Sequence, residues 1–225
     1  MIINGYEIGP AANLRGANFS DTDLSHADLR GANLSGANLN NATLINAVLT
    51  GVSSGNIIGT PSSLPTNWQL TQGYLIGPAA DLSNANLAGA DLSGLRANRC
   101  IFVNVDFTGA DLSDAHFSAC SFTVLPMPEL SMDAAEAPLE SLKLPPETIA
   151  QMRREGIQGV RYLRGSFNSA RMTGARFETS KLKGMNCAAA DLGGARFSAV
   201  LLEDVEFEGT RLEAAELDHC QFTNC

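Results

Sequence analysis

Cysteine and histidine, the side chains that most often bind metals or serve as nucleophile and base, are few in this sequence. The chain has five cysteines and three histidines, and no CxxC motif or Cys/His metal-binding pattern occurs. An odd number of cysteines without such a pattern predicts reduced thiols, no metal site and no bound cofactor. The cysteines are Cys100, Cys120, Cys187, Cys220 and Cys225.

The distribution of charge argues against two classes of partner. The formal net charge is -9, and no stretch of the sequence forms a basic patch. Lysine and arginine contacts to phosphate dominate nucleic-acid affinity, so we expect no nucleic-acid partner and no anionic membrane surface. Residues 1–10 do not contain the basic segment followed by an apolar segment that is typical of a secretory leader. No apolar run approaches the length of about 20 residues that a membrane span needs. We expect a cytoplasmic protein.

A large apolar residue recurs at every fifth position in three stretches of the chain, and a small residue stands two positions before it. Between residues 14 and 49, for example, each large residue is Leu or Phe and each small one is Ala or Thr. We predict that the large residues are core-facing repeat centres. They include Leu14, Phe19, Leu24, Leu29, Leu34, Leu39, Leu82, Leu87, Leu92, Phe102, Phe107, Phe117, Phe177, Leu192, Phe197, Leu212 and Phe222.

A period of five fits neither regular element of secondary structure. Five residues of α-helix advance about 500°, so successive leucines would scatter around the axis instead of forming a stripe. On a flat strand, an odd period would send successive leucines to opposite faces. A chain that bends once in every five residues keeps all of them on one inner surface.

The repeated motif resembles that of a known family. Residues 32–36 read ANLSG and residues 90–94 read ADLSG, a pattern similar to that of the pentapeptide-repeat family. The resemblance implies an all-β fold, a right-handed quadrilateral parallel β-helix or β-solenoid. It also implies four pentads in each coil, so that residues 20 apart stack on one another.

Two stretches break the five-residue period and divide the chain into five segments. The first is rich in Gly, Ser and Pro, and we expect a loop with a short strand around residues 68–76. In the second stretch, prolines and a glutamate are followed about six residues later by two arginines. This order is typical of a short α-helix, which we place at about 146–155. The predicted segments are an N-terminal cap and coils (1–50), an irregular insertion (51–80), a second pentapeptide run (81–122), a loop and helix insertion (123–156) and C-terminal coils (157–225).

One ten-residue motif occurs twice. Residues 73–82 repeat residues 5–14, and each copy directly precedes a pentad run. We interpret the motif as a cap in which a tyrosine and an isoleucine cover the open end of a coil. A ligand pocket at Tyr6 or Tyr74 is the alternative.

Stacking at intervals of 20 residues predicts which side chains become neighbours. Cys100 and Cys120 both occupy the small inward position and should be packed thiols in one column. On the outside, Arg171, Asp191 and Arg211 should form a ladder of alternating charge.

A second outward column stacks Arg176 on Arg196, like charge on like. Glu178 and Glu216 are close enough in sequence to relieve the repulsion, and an anion site at the two arginines is the alternative interpretation. All three histidines should point outward.

No catalytic constellation emerges, so we predict a non-enzymatic protein-interaction scaffold whose protein partner is unknown. The family resemblance implies an alternative, a DNA-mimicking inhibitor or protector of DNA gyrase, because some acidic members with this fold act in that way. Phe222 lies three residues from Cys225, and an apolar coil end suggests a homodimer through the C-terminal coil. A frayed final coil or a truncated chain would explain the same feature.

Overall fold

The computed structural model describes residues 2–124 and 165–225, together with the backbone of residues 137–138 and 159–160. The helix predicted at 146–155 lies outside the described residues. Within them the fold is all-β, and no helix is long and apolar enough to span a lipid bilayer.

One residue with a left-handed backbone conformation turns the chain in nearly every pentad. It stands two positions after the repeat centre, as in Gly36 (φ 70°), Asn41 (φ 55°) and Gly94 (φ 66°). Glycine adopts this conformation without steric cost, and asparagine tolerates it better than most residues do. The ANLSG pattern therefore encodes both the buried side chain and the bend that follows it.

Four bends close a coil, because backbone pairing joins residues 20 positions apart. Asn13 pairs with Asn33, Asn18 with Asn38, Asp23 with Thr43 and Asp28 with Val48, all in parallel. We number the four sides of the solenoid faces 1 to 4, in the order of these four pairs. Side chains on either side of each repeat centre point outward and form straight rows along a face.

Faces 1 and 4 become continuous sheets in the second half of the chain. Strands β6, β8, β12, β14 and β16 form the parallel sheet of face 1, and β5, β7, β11, β13 and β15 form that of face 4. Three antiparallel pairs, β1 with β2, β3 with β4 and β9 with β10, complete the set. The strands are β1 (Ile2–Ile3), β2 (Tyr6–Glu7), β3 (Gln69–Thr71), β4 (Tyr74–Ile76), β5 (Arg96–Asn98), β6 (Ile101–Val103), β7 (His116–Ser118), β8 (Ser121–Thr123), β9 (Ala137–Pro138), β10 (Gly159–Val160), β11 (Arg176–Glu178), β12 (Lys181–Lys183), β13 (Arg196–Ser198), β14 (Leu201–Glu203), β15 (Glu216–Asp218) and β16 (Gln221–Thr223).

The first insertion begins later than the sequence suggests. Ser53, Ile58 and Ser63 pair with the coil before them, so the solenoid continues through residue 63 of the predicted 51–80 insertion. The period is hidden there because Val52 and Ile57 supply the buried bulk from the position that is usually small. The remainder forms a hairpin of two strands, β3 and β4, where we had expected one strand.

The coils on either side of the second insertion stack directly on one another. Strand β7 pairs with β11 and β8 with β12, although 60 residue numbers separate the partners. The rings of Phe107 and Phe167 stack across this junction, with centroids 5.0 Å apart and planes within 11°. The solenoid therefore runs through the junction in register.

The repeat centres fill the interior. Phe177 and Phe197 stack with ring centroids 4.8 Å apart, and Ala175 and Ala195 occupy the adjoining small positions with 0% exposure. Burial of each large side chain contributes about 1.5–3 kcal/mol. All the predicted repeat centres are buried except Leu212 and Phe222, which are 44% and 50% exposed.

That exposure corrects the assignment of Leu212 and Phe222 to the buried core. Both belong to the last coil of the described chain, together with Leu217, and no further coil of these residues covers them. Strands β15 and β16 are edge strands for the same reason. The side chains stand at repeat-centre positions, yet the coil end leaves half of their surface open.

Candidate interaction surface

The described residues contain no cluster of catalytic or metal-binding side chains. No three His, Cys, Asp or Glu residues within them are placed to hold a metal ion. His26 is exposed, and His219 Nδ1 lies 2.6 Å from Asp218 Oδ1. His116, half-buried rather than fully outward, has Nε2 3.1 Å from Glu178 Oε2, a contact without hydrogen-bond geometry.

The cysteines are free thiols with a structural role in the stack. Cys100 Sγ donates to the Gly77 carbonyl at 3.1 Å, and Cys120 Sγ donates to the Ala97 carbonyl at 3.5 Å. Ser180 occupies the next level of this column, and its hydroxyl donates to the Glu178 carbonyl at 2.9 Å. A thiol or hydroxyl at this position thus satisfies a backbone carbonyl inside the solenoid.

Burial makes these thiols poor nucleophiles, since the thiolate is the reactive form. Contact with the Cys100 thiol and burial raise the pKa of Cys120. Burial also raises the pKa of the Cys187 thiol to about 12. Cys187 stands at a repeat-centre position, and the neighbouring small position holds the larger Met185, which is buried as well. Cys225 is exposed.

The duplicated motif forms the same structure twice. Each copy contains the second strand of an antiparallel hairpin, β2 in one case and β4 in the other. The Tyr6 ring packs edge-on against Phe19, with centroids 5.3 Å apart, and the Tyr74 hydroxyl accepts a hydrogen bond from the Asn86 amide at 3.1 Å. Both tyrosines are thus engaged with the first coil after the hairpin, as expected of a cap.

Charged rows on two faces alternate in sign. On face 3, Asp111, Arg171, Asp191 and Arg211 succeed one another along the stack, which confirms the predicted ladder. Arg171 Nε donates to Asp111 Oδ1 at 3.1 Å, and Arg211 Nη1 donates to Asp191 Oδ2 at 3.4 Å. The hydrogen bonds from Arg171 hold the pKa of Asp111 well below its ordinary value.

Face 1 follows the same rule on a smaller scale. Lys181 and Lys183 both lie within ion-pair distance of Glu203, with Lys181 Nζ 3.2 Å from Glu203 Oε2. Opposite charges therefore face each other across neighbouring coils here too.

Face 4 departs from this rule. Strand pairing places Arg96, His116, Arg176 and Arg196 in one outward row, with Glu216 at its end. We call the first four residues the arginine row. The sequence showed no basic patch because these residues are at least 20 positions apart, and only the stacking of coils brings them together.

The acidic neighbours only partly relieve the row. Glu216 Oε2 lies 3.2 Å from Arg196 Nε, as expected, whereas Glu178 contacts His116 instead of an arginine. Among the described residues, no carboxylate lies within ion-pair distance of Arg96 or Arg176. Both of those arginines are exposed.

Comparison with known proteins found the repeat and similar folds. A family model described as pentapeptide repeats matches eight copies over residues 12–51, 80–123 and 190–225, more than half of the chain. A search of curated proteins found no match.

Several solved structures are similar. QnrB1, a plasmid-mediated fluoroquinolone resistance protein, is 15% identical with a TM-score of 0.36, and 65% of each chain is covered. HetL, a pentapeptide repeat protein involved in heterocyst differentiation regulation from Nostoc sp. strain PCC 7120, is 18% identical with a TM-score of 0.21, covering 92% of this chain and 85% of HetL. Rfr23 from Cyanothece 51142 is 19% identical with a TM-score of 0.19, covering 85% of this chain and 88% of Rfr23.

Proposed function

Because this chain belongs to the pentapeptide-repeat family, we propose that it is a non-enzymatic scaffold that binds another protein through its flat sides. The observation that carries the proposal is the regularity of the faces. Outward side chains stand in straight rows on continuous parallel sheets, and the core behind them is closely packed. A surface of this kind changes little on binding, which reduces the entropic cost of association. Its partner is an unidentified protein.

Site-specific crosslinking from each face tests the proposal. A photo-crosslinking amino acid is placed at one outward hydroxyl residue on each face of a single coil, and the four variants are expressed in the native host. We expect crosslinks to a protein partner from one or two faces. The absence of protein crosslinks from all four would contradict a scaffold role. The positions are Ser121 on face 1, Thr108 on face 2, Ser113 on face 3 and Ser118 on face 4.

DNA mimicry directed at gyrase is the competing proposal. It requires a continuous row of carboxylates, since duplex DNA carries one negative charge for about every 1.7 Å of its axis. The acidic row of face 3 begins with Asp91 and Asp111 but is then interrupted by Arg171 and Arg211. A gyrase supercoiling assay decides the matter, because a mimic would inhibit or protect the enzyme at micromolar concentration. No effect at that concentration removes this proposal.

We also propose a homodimer through the C-terminal coil. Leu212, Leu217 and Phe222 are each 44% to 50% exposed at a coil end whose strand edges pair with no other described residues. A second copy packed end to end would cover these side chains and pair the edges. Light scattering at high micromolar concentration should give a dimer that Leu217→Glu converts to a monomer. A monomeric parent chain would end this proposal.

For its location we propose the cytoplasm, since five free cysteines fit a reducing compartment. Fractionation of the native host should recover the protein with cytoplasmic markers, and recovery with an exported fraction would contradict this assignment.

A further inference from the structure

The arginine row places three guanidinium groups and one imidazole on neighbouring strands of a protein whose formal net charge is -9. Its members occupy the first position of strands β5, β7, β11 and β13, which pair side by side in one sheet. Neighbouring strands lie about 4.8 Å apart, so the row extends for about 15 Å along the stack. Arg96, Arg176 and Arg196 are exposed, and His116 is half-buried among them.

Folding stability does not account for this row. Like charges directly opposite one another in a sheet are destabilising, whereas opposite charges stabilise by up to about 1 kcal/mol. Two other faces contain neighbouring opposite charges, as in the pairs Arg171 with Asp111 and Lys183 with Glu203. Asp91 and Asp111 also stack like charge on like on face 3, but Arg171 hydrogen-bonds to Asp111 there. In the arginine row, by contrast, Arg96 and Arg176 have no carboxylate within ion-pair distance among the described residues.

Two arginines of the row have no acidic partner among the described residues. Arg196 is paired with Glu216 and His116 with Glu178, which leaves Arg96 and Arg176. They stand two strands apart, about 10 Å. A shallow depression of about 210 Å³ lies beside Arg176 and Arg196, and Glu178, Glu216 and Asp218 also line it. The parallel outward row contains the small hydrogen-bonding side chains Asn98, Ser118 and Ser198, interrupted by Glu178 and ended by Asp218.

We propose that face 4 docks an acidic helix of a partner protein, with one carboxylate on Arg96 and one on Arg176. This inference rests on the proposed scaffold function and names the surface and the chemistry of its partner. A guanidinium binds a carboxylate through two parallel hydrogen bonds, which favours arginine at such sites. Acidic residues seven apart on a helix are about 10.5 Å apart on the same side, which matches the spacing of the two arginines.

The rest of face 4 favours discrete carboxylates over a nucleic acid. Glu178, Glu216 and Asp218 lie on the same face, beside the row and at its end. A phosphate backbone, which is charged at every nucleotide, would meet these carboxylates as well as the arginines. A helix with two acidic residues can engage Arg96 and Arg176 while presenting neutral residues to the carboxylates.

A labelled peptide tests the proposal on the full chain. The probe is a fluorescein-labelled, alanine-rich helical peptide of about 20 residues with two glutamates seven apart, and its counterpart has glutamine at both positions. Fluorescence anisotropy at low salt should detect binding of the glutamate peptide only. The double variant Arg96→Gln, Arg176→Gln should bind it about tenfold more weakly or worse. The control Arg15→Gln, Arg30→Gln loses the same charge from exposed positions in the first coils and should stay within about twofold.

Three results would overturn the proposal. They are equal weakening by the two double variants, no binding of the glutamate peptide to the parent chain, and tighter binding of a single-stranded oligonucleotide than of the peptide. Unchanged melting temperatures show that the variants are folded. Crosslinks to a protein from Ser121, Thr108 or Ser113 together with a negative peptide result would reject the arginine row while leaving the scaffold function standing.

Discussion

The indole of Trp68 lies against the α-carbon of Gly77, so closely that a Cβ atom built on this glycine would be 2.2 Å from Trp68 Cδ2. Trp68 packs against both apolar cores of the solenoid, the one that ends at Leu75 and the one that begins at Ile76. The hairpin of β3 and β4 thus connects the two cores through one aromatic ring, which only glycine admits at position 77.

Replacing Gly77 by alanine should therefore loosen the junction. The added methyl displaces the indole, and we expect a loss of about 1–3 kcal/mol in the free energy of unfolding, measured by chemical denaturation. Gly9 is the matched control because it occupies the same place in the first copy of the motif, and a Cβ there meets nothing within 4 Å. Gly9→Ala should be neutral within about 0.5 kcal/mol. Equal effects at both sites would refute the packing argument.

The inward direction of the repeat centres is tested by introducing one carboxylate at adjacent positions. Leu34 has 0% exposure, and Asp there would bury an unpaired charge, so we expect the N-terminal coils to unfold. Asn33→Asp adds the same charge one residue earlier, on the outside, where the side-chain oxygen still accepts from the Ser35 amide. Circular dichroism melting should separate the two variants. A Leu34→Asp melting temperature within about two degrees of the parent would contradict the assignment.

Thr179 is held in the left-handed region, at φ 46°, although its side chain is β-branched. Relief of that strain should make Thr179→Gly more stable by about 0.5–1 kcal/mol. Gly194 offers the reciprocal change, since it has φ +63° and open space where a Cβ would stand. Gly194→Thr should cost about 1–2 kcal/mol in denaturant titrations. If Thr179→Gly is destabilising, the threonine makes a compensating contact.

The Asp111–Arg171 ion pair links the coils on either side of the second insertion and should give stability that depends on pH. Hydrogen bonds from Arg171 lower the pKa of Asp111 from its ordinary value of 3.8. A depressed pKa contributes stability above the unfolded value, and that contribution is lost as the pH falls through and below about 4. Asp111→Asn should thus destabilise the protein by less than about 1 kcal/mol at pH 7.

The same variant should lose less stability than the parent between pH 5 and pH 2, measured as the change in melting temperature. Asp191→Asn, in the same row, removes a carboxylate whose contact with Arg211 Nη1 is longer, 3.4 Å, and is the control. An identical pH profile for the parent and Asp111→Asn would exclude the linkage.

Thiol accessibility should divide the cysteines into two groups. Cys225 is exposed and Cys220 half-buried, whereas Cys100, Cys120 and Cys187 are buried. A colorimetric disulfide reagent at pH 8 should react with Cys225 first, and the buried thiols should react only after denaturation. Cys225→Ser should remove the fast phase, and Cys187→Ser should leave it unchanged. A fast phase that survives Cys225→Ser would place a reactive thiol elsewhere.

The sequence alone determined the coil, because everything that makes one is local. A pentad such as residues 32–36 contains the small inward residue, the large inward residue and the glycine at the bend. Stacking at intervals of 20 residues, which the family resemblance implied, also placed Arg171 next to Asp191. At Val52 and Ile57 the large buried residue stands at the position that is usually small. The five-residue pattern of residue types therefore does not reveal the coil there.

Only the tertiary structure decided how the segments join. Arg96, His116 and Arg176 form a row with Arg196 because the chain returns after the second insertion to the register it left. That return depends on contacts between distant residues, such as the stacked rings of Phe107 and Phe167, which offset the entropy of closing the intervening loop. A repeat is encoded within five residues, whereas a surface that crosses an insertion exists only once those distant coils have packed together.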